Sequence, residues 1–211
     1  MRPTLPELLE RIRALRAKAG NARVLLGLVG EPGSGKSTLA TSLRHALEAD
    51  GIPTAIVPMD GFHLANRELQ RLGRAGRKGA IDTFDGWGYA ALLERLRARA
   101  DEVVYAPAYE RAIEESVGSA IPVPPEVEVI LTEGNYLLIP DEPWNRVAAL
   151  LDEVWFLGLD PEVRRARLLA RHVEFGKPPQ TAQAWVETVD EANAALIAAT
   201  STRADLVVTL D

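Results

Sequence analysis

Cysteine is absent from all 211 residues, which excludes disulfides, thiolate metal ligands and a cysteine nucleophile. Basic charge is also short: 24 Lys and Arg stand against 30 Asp and Glu, for a formal net charge of -6 and a pI near 5.2. That argues against a general nucleic-acid binder, whose surface must be electropositive. Long apolar runs are missing too, and none approaches the roughly 20 residues that span a bilayer. The opening MRPTLPELLERIRALRAKAG breaks every apolar stretch with charge and does not read as a signal peptide, so a cytoplasmic location is expected. Lysine is scarce, with Lys18, Lys36, Lys78 and Lys177 forming the whole set. Trp87, Trp144, Trp155 and Trp185 read as packing residues rather than stacking platforms.

The 47% hydrophobic and 26% charged content is that of an ordinary globular chain, for which one domain over residues 1–211 is expected. Thr4 and Glu7 have capping-box spacing, and Leu5, Leu8, Leu9, Ile12 and Leu15 share a helical face that Gly20 and Asn21 end. RVLLGLV (Arg23–Val29) is short and apolar, as a strand buried on both faces must be. Further strands are expected at Thr54–Pro58, Val103–Ala106, Val127–Thr132, Glu153–Leu157 and Asp205–Leu210. Helices are expected over Lys36–Glu48, Tyr89–Arg99, Trp144–Leu151, Pro161–His172 (Asp160 as its N-cap) and Thr181–Ala199. The stretch from Asp60 to Asp85 is polar and rich in Arg and Gly. Residues 107–126 carry four prolines and no helical period, which predicts an irregular or hairpin flap. Short apolar strands alternating with helices imply an α/β fold, a mostly parallel sheet with helices on both faces.

Between the first strand and the second helix the chain reads GEPGSGKST: Gly30, Glu31, Pro32, Gly33, Ser34, Gly35, Lys36, Ser37 and Thr38. This is a complete G-x-x-x-x-G-K-[ST] in its required strand–loop–helix context, the phosphate-binding loop of a nucleotide triphosphate site. Glycines let backbone amides curl around phosphate oxygens, and the helix N-terminus adds positive potential. Lys36 is expected on the β- and γ-phosphates and Ser37 on Mg²⁺. The fold class is therefore a P-loop three-layer sandwich. No N-K-x-D motif is present to read guanine, and no L-S-G-G transporter signature.

Asp60 ends the second strand at the carboxyl edge, where open α/β sheets place ligands, and is the candidate catalytic base. Glu133 follows VEVILT and is the candidate second member of the metal shell, with Ser37. His63 stands close enough to Asp60 in sequence to contact an acceptor. A basic cluster of Arg67, Arg71, Arg74, Arg77 and Lys78 is out of character for an acidic chain, either a solvated face or a rim for an anion. Arg164, Arg165, Arg167 and Arg171 lie on the helix after Asp160; at helical spacing the first, third and fourth share one side, able to close over a γ-phosphate.

GEPGSGKST, PMDGFH (Pro58–His63), RKGAIDTFD (Arg77–Asp85), APAYER (Ala106–Arg111) and LTEGNYLL (Leu131–Leu138) occur in one order. In these blocks the chain resembles the P-loop kinases that include pantothenate kinase, uridine kinase and phosphoribulokinase. Within that branch it is most similar to bacterial nucleoside/nucleotide kinase-like proteins labelled putative fructose transport system kinase. The resemblance implies a lid helix at about 161–177, a substrate flap at about 107–126, ATP and Mg²⁺. It places Asp60 on the catalytic aspartate, Glu133 on the metal-shell glutamate, and Arg164 or Arg165 on the lid arginine. Tyr109 and Arg111 fall in the acceptor-contacting flap, and Phe84 in a phenylalanine–aspartate pair on the acceptor side with Arg77 and Lys78. Where bacterial pantothenate kinase has a histidine soon after its flap tyrosine, Glu110 and Arg111 follow Tyr109 here. Arg111 with Arg77–Lys78 suits an anionic or polyhydroxylated acceptor. The function expected is phosphorylation of a small metabolite's hydroxyl, the acceptor being nucleoside, sugar or pantothenate-like; the alternative is a nucleotide-gated regulatory or binding module. No nucleic-acid or membrane partner is expected, and a homodimer stays open.

Overall fold

The computed structural model describes residues 3–209. Helix α1 (Leu5–Ala19) starts at the Thr4–Glu7 capping box and ends at Gly20, whose N–H donates to the Arg16 carbonyl. Strand β1 (Val24–Gly30) follows, buried at every position. Its two faces serve two cores. Val24, Leu26 and Leu28 pack with Leu8, Leu9 and Ile12 of α1 and with Leu39, Leu43 and Leu47 of α2 (Lys36–Ala49). Leu25 and Val29 pack with Tyr89, Leu93 and Leu96 of α4 (Gly86–Ala98) on the other side. The period of two along one strand thus builds both outer layers.

The sheet contains β2 (Thr54–Ile56), β5 (Val129–Gly134), β1, β6 (Glu153–Gly158) and β7 (Leu206–Thr209) in the order β2-β5-β1-β6-β7. Every pairing in it is parallel. All carboxyl ends therefore meet at one edge, with β1 and β5 adjacent at its centre. Leu210, expected in the last strand, lies outside the described residues. No helix among the described residues is long and apolar enough to cross a membrane.

Three segments carry detail beyond the sequence expectation, of which the flap is the hairpin that was one of its alternatives and the last helix departs from it. The polar stretch after Asp60 forms a 3₁₀ turn (Met59–Phe62), the short helix α3 (Asn66–Arg71) and further 3₁₀ turns at Ala75–Arg77 and Ile81–Thr83. Residues expected as a strand and flap form one antiparallel hairpin, β3 (Val104–Glu110) with β4 (Glu115–Val123), its register shifted between Ala106 and Ala108. Pro107 sits at that shift, where it has no N–H to give a ladder. The helix expected over Thr181–Ala199 is divided into α7 (Pro179–Trp185), a π-helical turn (Val186–Asp190) and α8 (Glu191–Ala198). The wide turn carries Asp190 inward to His172, 2.8 Å away. His172 lies in α6 (Pro161–Glu174), which Asp160 caps as expected by accepting from the amides of Glu162 and Val163. A short helix α5 (Trp144–Ala149) precedes β6.

Arg23 closes the base of the sheet, opposite the carboxyl edge. Its guanidinium is buried (1% exposed) and donates to the carbonyls of Val127, Leu96 and Pro124 at 2.8–3.0 Å. It thereby ties the end of α4 to the entry of β5. Arg23→Met removes three hydrogen bonds from a charged donor, with Leu96 and Pro124 keeping only backbone donors from Arg99 and Val127, and is expected to lower unfolding free energy by about 2–4 kcal/mol, read from urea denaturation.

Candidate active site

The turn from β1 into α2 builds the floor of the site. Gly33 and Gly35 adopt φ of 82° and 95°, left-handed values that glycine reaches without a Cβ penalty. At Gly33 a Cβ would also meet Leu168 Cγ at 2.9 Å and the Arg164 carbonyl at 3.1 Å, so α6 rests directly on the loop. Lys36 Nζ donates to the carbonyls of Gly30 (2.8 Å) and Glu31 (3.0 Å). Burial pushes the Lys36 ammonium below its ordinary range, while Glu133 and Asp60 oppose that shift. Ser37 Oγ donates to Glu133 Oε1 at 2.8 Å.

Glu133 is buried near the end of β5, opposite Leu28 of β1. Burial first and the Asp60 charge second push its carboxyl above the usual range. Beside it, Thr132 Oγ1 donates to the Val57 carbonyl at 2.6 Å and accepts from Tyr89, which locks the ends of β2 and β5 together. Asp60 lies in the 3₁₀ turn just beyond β2. That turn is pressed on the hairpin at Gly61, where a Cβ would strike the Pro107 carbonyl. Arg111, from the hairpin, brings Nη2 to 3.9 Å from Asp60 Oδ2.

His63 Nδ1 donates to the Asp60 carbonyl at 2.8 Å. Its ring lies between Phe84 (centroids 4.1 Å apart) and Tyr109 (4.6 Å). Burial lowers the His63 pKa, and the Asp60 charge works against it; burial likewise pushes the Tyr109 phenol up to about 12. Both side chains are therefore neutral at pH 7.

These groups open into one cleft of about 1020 Å³, at the large end of small-molecule sites. Its lining includes Pro32, Gly33, Gly35, Lys36, Ser37, Thr38, Asp60, His63, Lys78, Phe84, Tyr109, Arg111 and Glu133. Gly30, Glu31 and Ser34, also expected to touch the nucleotide, are not part of the cleft's lining. Two of them supply the carbonyls that hold Lys36, and Ser34 Oγ is buried without a hydrogen-bond partner.

Three expected residues are placed elsewhere. Arg77 does not line the cleft; both of its terminal nitrogens are turned to the Asp82 carboxylate. Arg164 is only 2% exposed, with Glu31 Oε2 at 2.8 Å from Nε and Glu191 on its far side. Arg165 reaches the same Glu191 at 3.1 Å. The N-terminal half of α6 is occupied by its seat on the loop, so Arg167 and Arg171, further along, are the α6 arginines that line the cleft. Burial, followed by the charge of Arg111, lowers the Arg171 pKa.

The sequence reading did not single out Asn135, Asp190, Asn193, Phe175 or Lys177, and set Trp185 aside as packing. All six line the cleft. Asn135 directly follows the strand-ending Glu133–Gly134 and was findable from that; the others depend on how α6, α7 and α8 fold back.

Among the described residues no cluster of three or more His, Cys, Asp and Glu is arranged to hold a metal. Ser37 and Glu133 offer two oxygens. Such a pair fits Mg²⁺, which binds through one or two protein oxygens plus substrate phosphates and water.

A glycine-lined loop, a buried lysine and paired oxygens at the edge of a parallel sheet define a P-loop nucleotide-binding protein. A family model described as Methylmalonyl Co-A mutase-associated GTPase MeaB matches residues 4–65, the stretch that contains this loop. The chain is 44% identical over 133 residues to an ATP-dependent kinase-like protein, notR', of Aspergillus versicolor, covering 60% of this chain and 77% of that one. It is 38% identical over 170 residues to a Schizosaccharomyces pombe protein named putative uridine kinase C227.14, covering 78% and 72%. A crystal structure of a putative fructose transport system kinase from Silicibacter sp. TM1040 superposes with a TM-score of 0.87 at 38% identity, over 97% of this chain and 98% of that one. The chain belongs to the branch of P-loop small-molecule kinases that contains the uridine and pantothenate kinases and phosphoribulokinase.

Because the loop and α6 touch at Gly33, Gly33→Ala is expected to separate them and strain the turn. Affinity for Mg·ATP should fall at least about tenfold, roughly 1.4 kcal/mol, by isothermal titration calorimetry.

Proposed function

We propose that this protein is an ATP-dependent phosphotransferase that phosphorylates a hydroxyl of a small metabolite. The observation that carries this reading is the meeting, in one cleft, of the Ser37–Glu133 pair, Lys36 and Asp60. Phosphoryl transfer asks little covalent chemistry of a protein; positioning and charge stabilisation do most of it. ATP is preferred over GTP as donor because the chain has no N-K-x-D motif.

In this mechanism the loop amides and Lys36 hold the β- and γ-phosphates, and Lys36 leaves the Gly30 and Glu31 carbonyls to do so. Ser37 and Glu133 would hold Mg²⁺, which would supply neutralisation of the phosphate charge. Asp60 accepts the proton of the acceptor hydroxyl as its oxygen bonds to the γ-phosphorus. The bond between that phosphorus and the β–γ bridging oxygen breaks, and ADP carries away the electron pair. Arg167 and Arg171 are the lid arginines in this reading, taking the role expected of Arg164 and Arg165. Closure of α6 with the β3–β4 hairpin, as lid and flap, keeps water from the γ-phosphate.

Asp60→Asn keeps the size of the side chain and removes its basicity. It is expected to reduce acceptor-dependent ADP release by about 10²–10⁴-fold while Mg·ATP affinity stays within about threefold. Turnover unchanged in that variant would remove Asp60 as base. ADP release indifferent to any acceptor would favour the nucleotide-gated binding module instead.

A further inference from the structure

The cleft has more positive charge than its nucleotide half uses. In a chain of net charge -6, its lining outside the phosphate-binding loop contains Lys78, Arg111, Arg167, Arg171 and Lys177 against Asp60, Glu114, Glu133 and Asp190. Asp60 and Glu133 are assigned above to the acceptor hydroxyl and the metal, and Asp190 faces His172 at 2.8 Å. Arg171 lies near enough to Lys36 to affect its ionisation, so it belongs to the phosphoryl end with Arg167. Of the carboxylates lining the cleft that leaves Glu114 to Lys78, Arg111 and Lys177, with Glu115, outside the lining, also acting on Lys78.

These three cations are positioned rather than loose. Lys78 Nζ donates to Asn66 Oδ1 at 2.6 Å and lies 5.3 Å from the centre of the Tyr109 ring. Lys177 Nζ lies 3.4 Å from Glu114 Oε1 and 5.2 Å above Trp185. Arg111 rests on Phe175, 5.7 Å from its centroid. Asp60 is the carboxylate within 4 Å of Arg111 among the described residues, and at 3.9 Å it is beyond hydrogen-bond reach. A guanidinium offers a rigid fork of five N–H donors suited to a bidentate anion. Beside it, His63 spends Nδ1–H on the Asp60 carbonyl, which leaves Nε2 of the neutral ring as an acceptor for a second hydroxyl.

We propose that the acceptor carries its own anionic group, a carboxylate or a phosphate, seated on Arg111 and Lys78 while its reacting hydroxyl lies at Asp60. This rests on the phosphotransferase reading above. With Arg111 Nη2 and Asp60 Oδ2 3.9 Å apart, hydrogen bonds of about 2.8 Å to each put the two ligand oxygens at most about 9.5 Å apart. That is the span of a short hydroxy acid or a sugar phosphate. A neutral polyol of the same size would offer the Arg111 fork hydroxyl acceptors but no charge, so Arg111 is the residue that sets specificity.

The test uses the full chain with matched neutral and anionic probes: glycerol with glycerate, glucose with gluconate, and ribose with ribose 5-phosphate. Binding is read as a thermal shift with Mg²⁺ and a non-hydrolysable ATP analogue, and phosphorylation as ADP release with ATP. An anionic member is expected to bind and turn over where its neutral twin does not, and the carboxylate and phosphate arms show which anion is taken. Arg111→Gln should weaken that ligand roughly 10–100-fold, the loss of a charge-assisted contact, with Arg111→Lys restoring part of it. Arg77→Gln, outside the cleft, should leave it unchanged. Asp60→Asn should keep anion binding and lose turnover. Neutral twins that bind as well, anion affinity indifferent to Arg111→Gln, or no anion-specific shift would each overturn the proposal. If a neutral acceptor is phosphorylated in an Asp60-dependent way, this inference falls and the kinase reading stands. Anion binding without Asp60-dependent ADP release from any probe sinks the kinase reading, and with it the assignment of the anion as acceptor.

Discussion

The hydrogen bond between Ser37 and Glu133 is the contact on which the rest of the site is arranged. It joins the first turn of α2 to the end of β5 at 2.8 Å, and it exists because β1 and β5 are parallel neighbours in register, Leu28 opposite Glu133. A parallel pair brings two carboxyl ends to one edge, so the loop leaving one strand faces the side chain ending the other. Shifting that register by one residue would turn Glu133 to the opposite face. The phosphate-binding loop and the carboxylate beside it are consequences of one pairing.

Around that pair the protein gathers buried charge that it cannot leave unbalanced. The Glu133 and Asp60 charges favour the Lys36 ammonium, yet burial outweighs them and weakens its hold on its proton. Burial and then the Asp60 charge raise the cost of ionising Glu133, which Lys36, the Ser37 hydrogen bond and Arg111 relieve. A site in this condition favours the arrival of a polyphosphate together with a cation. Anchoring is divided in the same way along α6. Arg164 serves as a strut between Glu31 of the loop and Glu191 of α8, and Arg167 and Arg171 are left to the cleft. One helix therefore both rests on the nucleotide loop and presents charge to the cleft beside it.

Much of this was legible in the chain because the signals are local. Strand β1 has an apolar run with both faces buried, α1 has its capping box, and α6 has its Asp160 cap. Each depends on neighbours a few residues away. The phosphate-binding loop is legible for the same reason, since amide geometry and glycine freedom are set within nine residues. The arginines of α6 were not. Spacing put Arg164, Arg167 and Arg171 on one side, but which end of that side meets the loop depends on Gly33 being small enough to admit Leu168 and the Arg164 carbonyl. Arg77 was misplaced because Asp82, five residues on, turns back across a 3₁₀ turn to claim it. The division of the last long helix, which brings Asp190 to His172, also left no periodic signature.

The amino-acid sequence alone determined the layered sheet, the triphosphate loop and the two carboxylates after their strands, because hydrophobic period and short-range backbone geometry are encoded within a few neighbouring positions. Tertiary structure alone decided which basic side chains serve the cleft and which serve the frame. A long flexible arginine or lysine takes whichever carboxylate, carbonyl or ring the packing of distant segments brings within reach, and those distances do not exist until the hairpin and the last helices have closed over the sheet.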